Sequence, residues 1–320
     1  MNYFIKNIHI NKLFHLNDID IPIADEKCPH LIITGKSGSG KTVLLNAISD
    51  FLNIIKNDKS AEDENLYGRV DVQSDLLGSI VEKYNKGEFV IAFYQADRKV
   101  KMSEPKNPTK PVYNKKGDVK DTATSQFLNF LSDLKIQEAL ARNEKQTKDA
   151  DEISAWFEDF ESLMRHIYQD DHLTLEFNYR DYSFKICTEG KQFKFTEVSD
   201  GFAAVLDIVA DLILKMQDDS SLTRSYQKEG IVLIDEIETH LHLALQKVIM
   251  PLLTKVFPNI QFVITTHSPF VLSSMPNAVA YDLEHQEVLD NLTEYSYESL
   301  AEGYFGVRTQ SSYAEMQLET

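Results

Sequence analysis

The chain has 320 residues, 42% hydrophobic and 26% charged, a globular composition long enough for one large domain or two smaller ones. Thirty-three basic against 50 acidic residues leave a formal charge of −17, which argues against a surface coated in nucleic-acid-binding charge but leaves room for a local basic stripe. No run approaches the ~18 apolar residues of a membrane span. The opening MNYFIKNIHI lacks the apolar block of a secretory signal, and Cys28 and Cys187 lack metal-ligand spacing, so a cytoplasmic protein without disulfide framework or zinc site is expected.

Ile8 and Ile10, then Ile19, Ile21 and Ile23, alternate with polar residues around Asn17-Asp18, which predicts a half-exposed hairpin turning there. Leu31, Ile32 and Ile33 read as a buried strand, and Val43, Leu44, Ala47, Ile48, Phe51 and Ile55 recur at helical spacing. Between them, Gly35 to Thr42 reads GKSGSGKT and fits G-x-x-x-x-G-K-[ST] at every fixed position. A loop between a strand and a helix N-terminus offers orphan N–H groups and a positive dipole end to phosphate. Gly35, Lys36, Ser37, Gly38, Ser39 and Gly40 supply the cradle, its glycines leaving no Cβ in the way. Lys41 can reach the outer phosphates, and the Thr42 hydroxyl can ligate magnesium. The plain alternative is a Gly/Ser-rich turn.

The helix dissolves near Asn57 into a polar loop, and Phe89 to Tyr94 form a second buried strand that runs into Gln95, Ala96, Asp97 and Arg98. From Arg98 to Lys120 there are eight Lys or Arg against Glu104 and Asp118, a basic loop for which solvation and a DNA contact are both open. Residues 121 to 170 read as two helices, with apolar stripes on Phe127 to Leu134 and on Ile153 to Ile167, split by a charged break from Asn143 to Asp151. Alternation at Leu173 to Tyr179 and Tyr182 to Ile186 predicts a hairpin turning near Asp181, with Phe193 and Phe195 as a further strand.

Ser199, Asp200 and Gly201 open a long apolar-faced helix. Ile231 to Ile234 then run straight into Asp235 and Glu236. A helix from about Leu243 to Val256 precedes the strand Ile260 to Thr266, which ends at His267. Helices alternating with strands imply a parallel sheet. Behind a phosphate loop, paired acids at the carboxyl end of a strand that can neighbour the loop strand suit phosphoryl transfer. Asp235 would hold magnesium and Glu236 would act as general base. His267 leaves the same edge and can contact a γ-phosphate, although an isolated loop histidine is the plainer reading. Ser199 to Gly201 can be a simple cap, or a helix N-terminus that meets a second nucleotide.

GKSGSGKT, FYQADR, VSDGF opening a helix, IVLIDE with IETHLH, and TTHSP come in the order seen in ABC-type ATPase heads, over about residues 3 to 100 and 172 to 285. The set resembles most the branch holding SMC-like ATPases, RecF and phage-defence ATPases of the overcoming-lysogenization-defect, Septu, PARIS and retron kinds. The resemblance implies an α/β fold: a P-loop head with a mixed or parallel core sheet, an antiparallel β subdomain and a helical insertion. Residues 1–100 and 172–290 would form a discontinuous head, 101–171 a basic loop plus insertion, and 291–320 a C-terminal tail.

It also implies ATP and magnesium sandwiched between two copies. Lys41, Thr42, Asp235, Glu236 and His267 would act from one subunit and Ser199, Asp200 and Gly201 from the other. Gln95 would sense magnesium and the attacking water, and Glu238 to His240 would cross the dimer interface. VSDGF departs from the LSGGQ of transporters, since Asp200 brings a carboxylate near phosphate. With no nuclease constellation visible, the expected partners are a second copy or higher homo-oligomer and a separate nuclease or toxin effector, with no membrane; direct nucleic-acid binding stays open. A transporter's energising subunit and a non-hydrolysing ATP-gated scaffold are the alternatives.

Overall fold

β1 (Asn7–Leu13) pairs antiparallel with β2 (Leu16–Pro22) on one side and β4 (Val70–Gln73) on the other. The hairpin turns at Phe14-His15, not at Asn17-Asp18, because Leu13 pairs with Leu16 and Lys12 with Asn17. Leu13 and Leu16 are both buried, so pairing persists until both reach the core, and Phe14 takes the left-handed backbone at φ 55°. Asp18, the better turn former by type, also sits at φ 53° but inside the strand. In this computed structural model the described residues are 5–23, 30–56, 69–74, 77–98, 102–105, 118–217, 226–289 and 292–305. The polar loop after Asn57, the lysines from Lys99 to Lys116, Cys28 and most of the expected tail lie outside them.

The central sheet adds β3 (His30–Thr34), β5 (Phe89–Tyr94), β9 (Glu229–Ile234), β10 (Ile260–Thr265), β11 (Ala278–Asp282) and β12 (Glu287–Leu289). Its order is β12-β11-β3-β10-β9-β5, parallel throughout except for the β11–β12 pair. β9 therefore does not neighbour β3 as expected; β10 runs between them. A parallel crossover can skip a position, and nothing in the apolar runs of β9 and β10 distinguishes which lies next to β3.

Alternation along the buried strands divides the interior in two. Leu31, Ile33, Phe93, Leu233 and Val263 face one side, where α1 (Lys41–Lys56), α2 (Leu77–Asn85) and the β1–β2–β4 sheet cover them. Ile32, Tyr94, Val232, Ile234, Phe262 and Ile264 face the other. That side is closed by α3 (Phe127–Asn143), α4 (Thr147–Tyr168), α5 (Asp200–Lys215), α6 (Leu243–Val256) and α7 (Pro269–Leu272). A short α8 (Tyr297–Gly303) follows β12.

β6 (Thr174–Asn178), β7 (Ser183–Thr188) and β8 (Lys191–Lys194) form the separate antiparallel sheet that the alternation predicts, with Phe195 in a 3-10 turn beyond it. The break between α3 and α4 is only Glu144–Gln146. The helix resumes at Thr147 because Ala150 and Ile153 are already buried and Asp149 suits the positive end of the helix dipole. The architecture is thus α/β with a mixed core sheet, an antiparallel β unit and a helical insertion whose aromatic stripes share a core with α5 and α6. Among the described residues no helix is long and apolar enough to cross a membrane.

Candidate functional site

The loops after β3, β5, β9, β10 and β11 leave the carboxyl edge of the sheet together, the place where open α/β sheets hold ligands. After β3 the chain turns through Gly35, Gly38 and Gly40 at φ 128°, 87° and 102°, values that L side chains rarely adopt. A Cβ on Gly35 would meet Ser39 Oγ at 3.0 Å and Asp282 Oδ1 at 3.2 Å, so at that position space also demands glycine. Ser39 is buried, while Lys36 and Ser37 face solvent. The Lys36 ammonium donates to Glu284 Oε1 at 2.6 Å and its backbone N–H to Glu284 Oε2 at 3.3 Å, pinning the loop to the turn after β11.

Lys41 opens α1 and is 5% exposed; its ammonium donates to the carbonyls of Gly35 (2.8 Å) and Lys36 (2.9 Å) and to Ser39 Oγ (3.4 Å). Burial pulls its pKa below the usual lysine value, while Glu236, Glu238, Asp235 and Asp282 act the other way. Buried charge without a partner is costly, and the loop's own carbonyls meet that need.

Asp235 follows β9 and is 2% exposed. Its Oδ1 accepts from Thr265 Oγ1 at 2.6 Å and from Thr42 Oγ1 at 3.3 Å, so the hydroxyl of the glycine-loop helix and the first acid meet although their strands are not neighbours. Thr265 on the intervening β10 makes the junction: its Oγ1 also accepts from the Glu236 N–H at 2.8 Å. Glu236 adopts φ 44°, left-handed for a residue with a Cβ, and its Oε2 accepts from Thr239 Oγ1 at 3.3 Å.

Glu238 turns inward, accepting from the His267 N–H at 2.6 Å and from Thr266 Oγ1 at 2.7 Å. His267 is half-buried; burial, then the Lys41 charge, push its pKa below the ordinary histidine value, against the nearby carboxylates.

Gln95 is exposed, and its carbonyl rather than its amide is engaged, accepting from Arg98. The Arg98 guanidinium reaches the carbonyls of Asp235 (3.0 Å), Glu236 (3.3 Å) and Ile237 (3.4 Å). Burial lowers its pKa, with Asp207 the leading opposing charge.

Ser199 occupies the N-cap of α5 but its side chain makes no capping bond; Asp200 and Gly201 begin the helix. A Cβ on Gly201 would come within 2.8 Å of the His240 carbonyl oxygen, so this helix end lies directly on the turn that follows the two acids. Beside it opens a cleft of about 510 Å³ lined by Asp97, Arg98, Met102, Phe195, Asp200 and His240 among others.

The edge thus gathers Lys41, Thr42, Asp235, Glu236 and His267. Gly201 packs against the acidic turn at His240, and Gln95 is exposed. Sequence reasoning missed Thr265, Glu238 as an internal ligand, Arg98 and Glu284. The first three stand inside quoted motifs, TTHSP, IETHLH and FYQADR, and their polarity next to buried strands was the available signal. Glu284 had none.

Residues 126–273, less than half the chain, match the family model described as "AAA domain, putative AbiEii toxin, Type IV TA system". The chain is 38% identical over 95 residues to the Septu protein PtuA of Bacillus mycoides strain KBAB4, covering 29% of this chain and 13% of that protein. It is 44% identical over 77 residues to the "Retron Ec83 probable ATPase" of Escherichia coli, covering 23% and 14% respectively. The matched stretch therefore spans a small part of the length of these curated relatives. Among solved structures, the Smc head domain from Pyrococcus furiosus bound to the C-terminal domain of ScpA aligns over 90% of this chain and 96% of that one, at 12% identity and a TM-score of 0.49. Over about a quarter of its length the chain is thus similar to proteins described as a Septu protein and a probable retron ATPase.

Proposed function

We propose that this chain binds and hydrolyses ATP, closes around it as a dimer or higher homo-oligomer, and serves as sensor and regulator in a DNA-linked anti-phage defence or repair complex whose effector, a nuclease or toxin, is a separate protein. The observation that carries the reading is the junction Thr42–Asp235–Thr265–Glu236, which joins the glycine loop to both acids at one sheet edge. The defence setting rests on the Septu and retron relatives.

The residues fit a magnesium nucleotide. Three glycines leave the cradle free of side chains, and Thr42 and Asp235 offer the oxygen donors that magnesium prefers. Held by Thr42 and Asp235, magnesium would supply positive charge to offset the charge that develops on the phosphate. Gly35 to Gly40 present backbone N–H groups at the start of α1, and Lys41 exchanges its loop carbonyls for phosphate oxygens. Glu236 takes a proton from the attacking water. His267, whose pKa burial and Lys41 lower, offers the γ-phosphate a hydrogen bond. Gln95, exposed at the rim, is available to magnesium and water; Ser199, Asp200 and Gly201 belong to the surface that meets the second protomer's nucleotide. We take 101–171 as an insertion into a head formed by 1–100 and 172–290.

The test mixes two inactive proteins, Lys41→Ala and Ser199→Arg. A shared site predicts that the mixture recovers about a quarter of wild-type turnover, from the one mixed site in which both halves are intact. A mixture as inactive as its components overturns the shared site, and wild-type protein that binds no ATP with magnesium overturns the whole reading.

A further inference from the structure

The turn after β9 presents a problem of backbone chemistry. Asp235, Glu236 and Ile237 leave the sheet, so their carbonyls lose the ladder, yet Asp235 and Ile237 are buried and need partners. Glu236 also sits in a left-handed conformation that a residue with a side chain does not choose by itself. The Glu236 carbonyl accepts from the Thr239 N–H at 2.9 Å within the turn itself; beyond that one side chain serves the turn, Arg98, whose guanidinium spreads over all three carbonyls and over the carbonyl of Gln95. A planar fork can serve several acceptors in different directions, which a lysine ammonium on its flexible stem does far less well.

Behind Arg98 stands α5: Arg98 lines one cleft with Asp200, Ala203 and Ala204 of that helix. Asp207 on α5 is 4% exposed and is the leading charge that favours the guanidinium. One turn further, Asp211 accepts from Tyr94 Oη at 2.7 Å and from the Ala123 N–H at 2.6 Å, fastening the end of β5 to the same helix. Arg98 thus stands where β5, the acidic turn and α5 meet.

We propose that Arg98 is the positioning residue of the acidic turn: it fixes the backbone that aims the Glu236 carboxylate. This rests on the ATPase reading for its catalytic meaning, but not for its structural content. Displacing a catalytic group by about 1 Å can lower turnover about 10²-fold. Arg98→Gln therefore lowers kcat about 10²-fold and leaves the Kd for ATP with magnesium within threefold, while the melting temperature falls by a few degrees because buried carbonyls lose their partner. Arg98→Lys recovers less than a tenth of wild-type turnover.

The experiment measures all three quantities on the full chain, together with deuterium uptake over residues 235–241, which speeds up at least tenfold in Arg98→Gln while β3 stays protected. A kcat within twofold of wild type, a loss of nucleotide affinity beyond threefold, or unchanged uptake overturns the proposal. If wild-type protein hydrolyses nothing, the ATPase reading fails and the uptake measurement still decides whether Arg98 holds the turn. If Arg98→Gln does not fold, Arg98→Lys gives the same readouts, and wild-type values in it count against the proposal.

Discussion

His30 opens β3, the strand that feeds the glycine loop, and is 6% exposed. Its Nδ1 accepts from the Phe262 N–H of β10 at 3.0 Å, a bond that a ring protonated on both nitrogens could not make. Burial lowers its pKa from 6.5 to about 4. Between those values the unfolded chain binds a proton that the folded chain refuses, so stability is full above pH 6.5 and falls as the pH drops towards 4. At about 1.4 kcal/mol per pH unit, integration from pH 7 to pH 5 gives a loss of about 2 kcal/mol from this one ring. His30→Asn keeps an acceptor oxygen for Phe262 and removes the titration. Urea unfolding followed by fluorescence of the single tryptophan, Trp156, measures stability at both pH values. Wild type loses about 2 kcal/mol more than the variant on acidification. Equal losses in the two proteins refute the reasoning, because every other titrating group is common to both.

Glu236→Gln lowers kcat by about 10²–10³-fold while ATP binding with magnesium persists and size exclusion shows more ATP-dependent dimer; turnover within threefold of wild type removes Glu236 as general base. Gly201→Ala drives a methyl into the His240 carbonyl oxygen, 2.8 Å away, and costs about 1–3 kcal/mol with loss of turnover; an unchanged melting curve counts against that contact. Because burial and Lys41 depress the His267 pKa, the acid limb of kcat falls below pH 6.5, and a limb at or above that value shows the ring to be protonated in the working enzyme.

What the sequence revealed was local. The glycine loop, the strand that ends in two acids and the helix that starts at Asp200 each depend on residues within one element and its cap, and each lies where the pattern puts it. What it hid depends on long separations. Arg98 meets Asp235 across 137 positions, Lys36 meets Glu284 across 248, and no periodicity encodes either pairing. The insertion of β10 between β3 and β9 was hidden for the same reason, and with it the role of Thr265. The N-terminal turn failed differently: Asn17-Asp18 has the right chemistry for a turn, but Leu13 and Leu16 needed the core and moved the reversal back to Phe14.

The division of the interior by the central sheet governs how a signal can travel. The helices from 127 to 168 share their hydrocarbon layer with α5 and α6, whereas α1, which carries Lys41, lies across the strands in the other layer. A protein that grips the insertion would therefore speak to the acids and to the α5 end first, and to the triphosphate cradle through the Thr42–Asp235 bond. Turnover could then be throttled from that face while nucleotide stays bound.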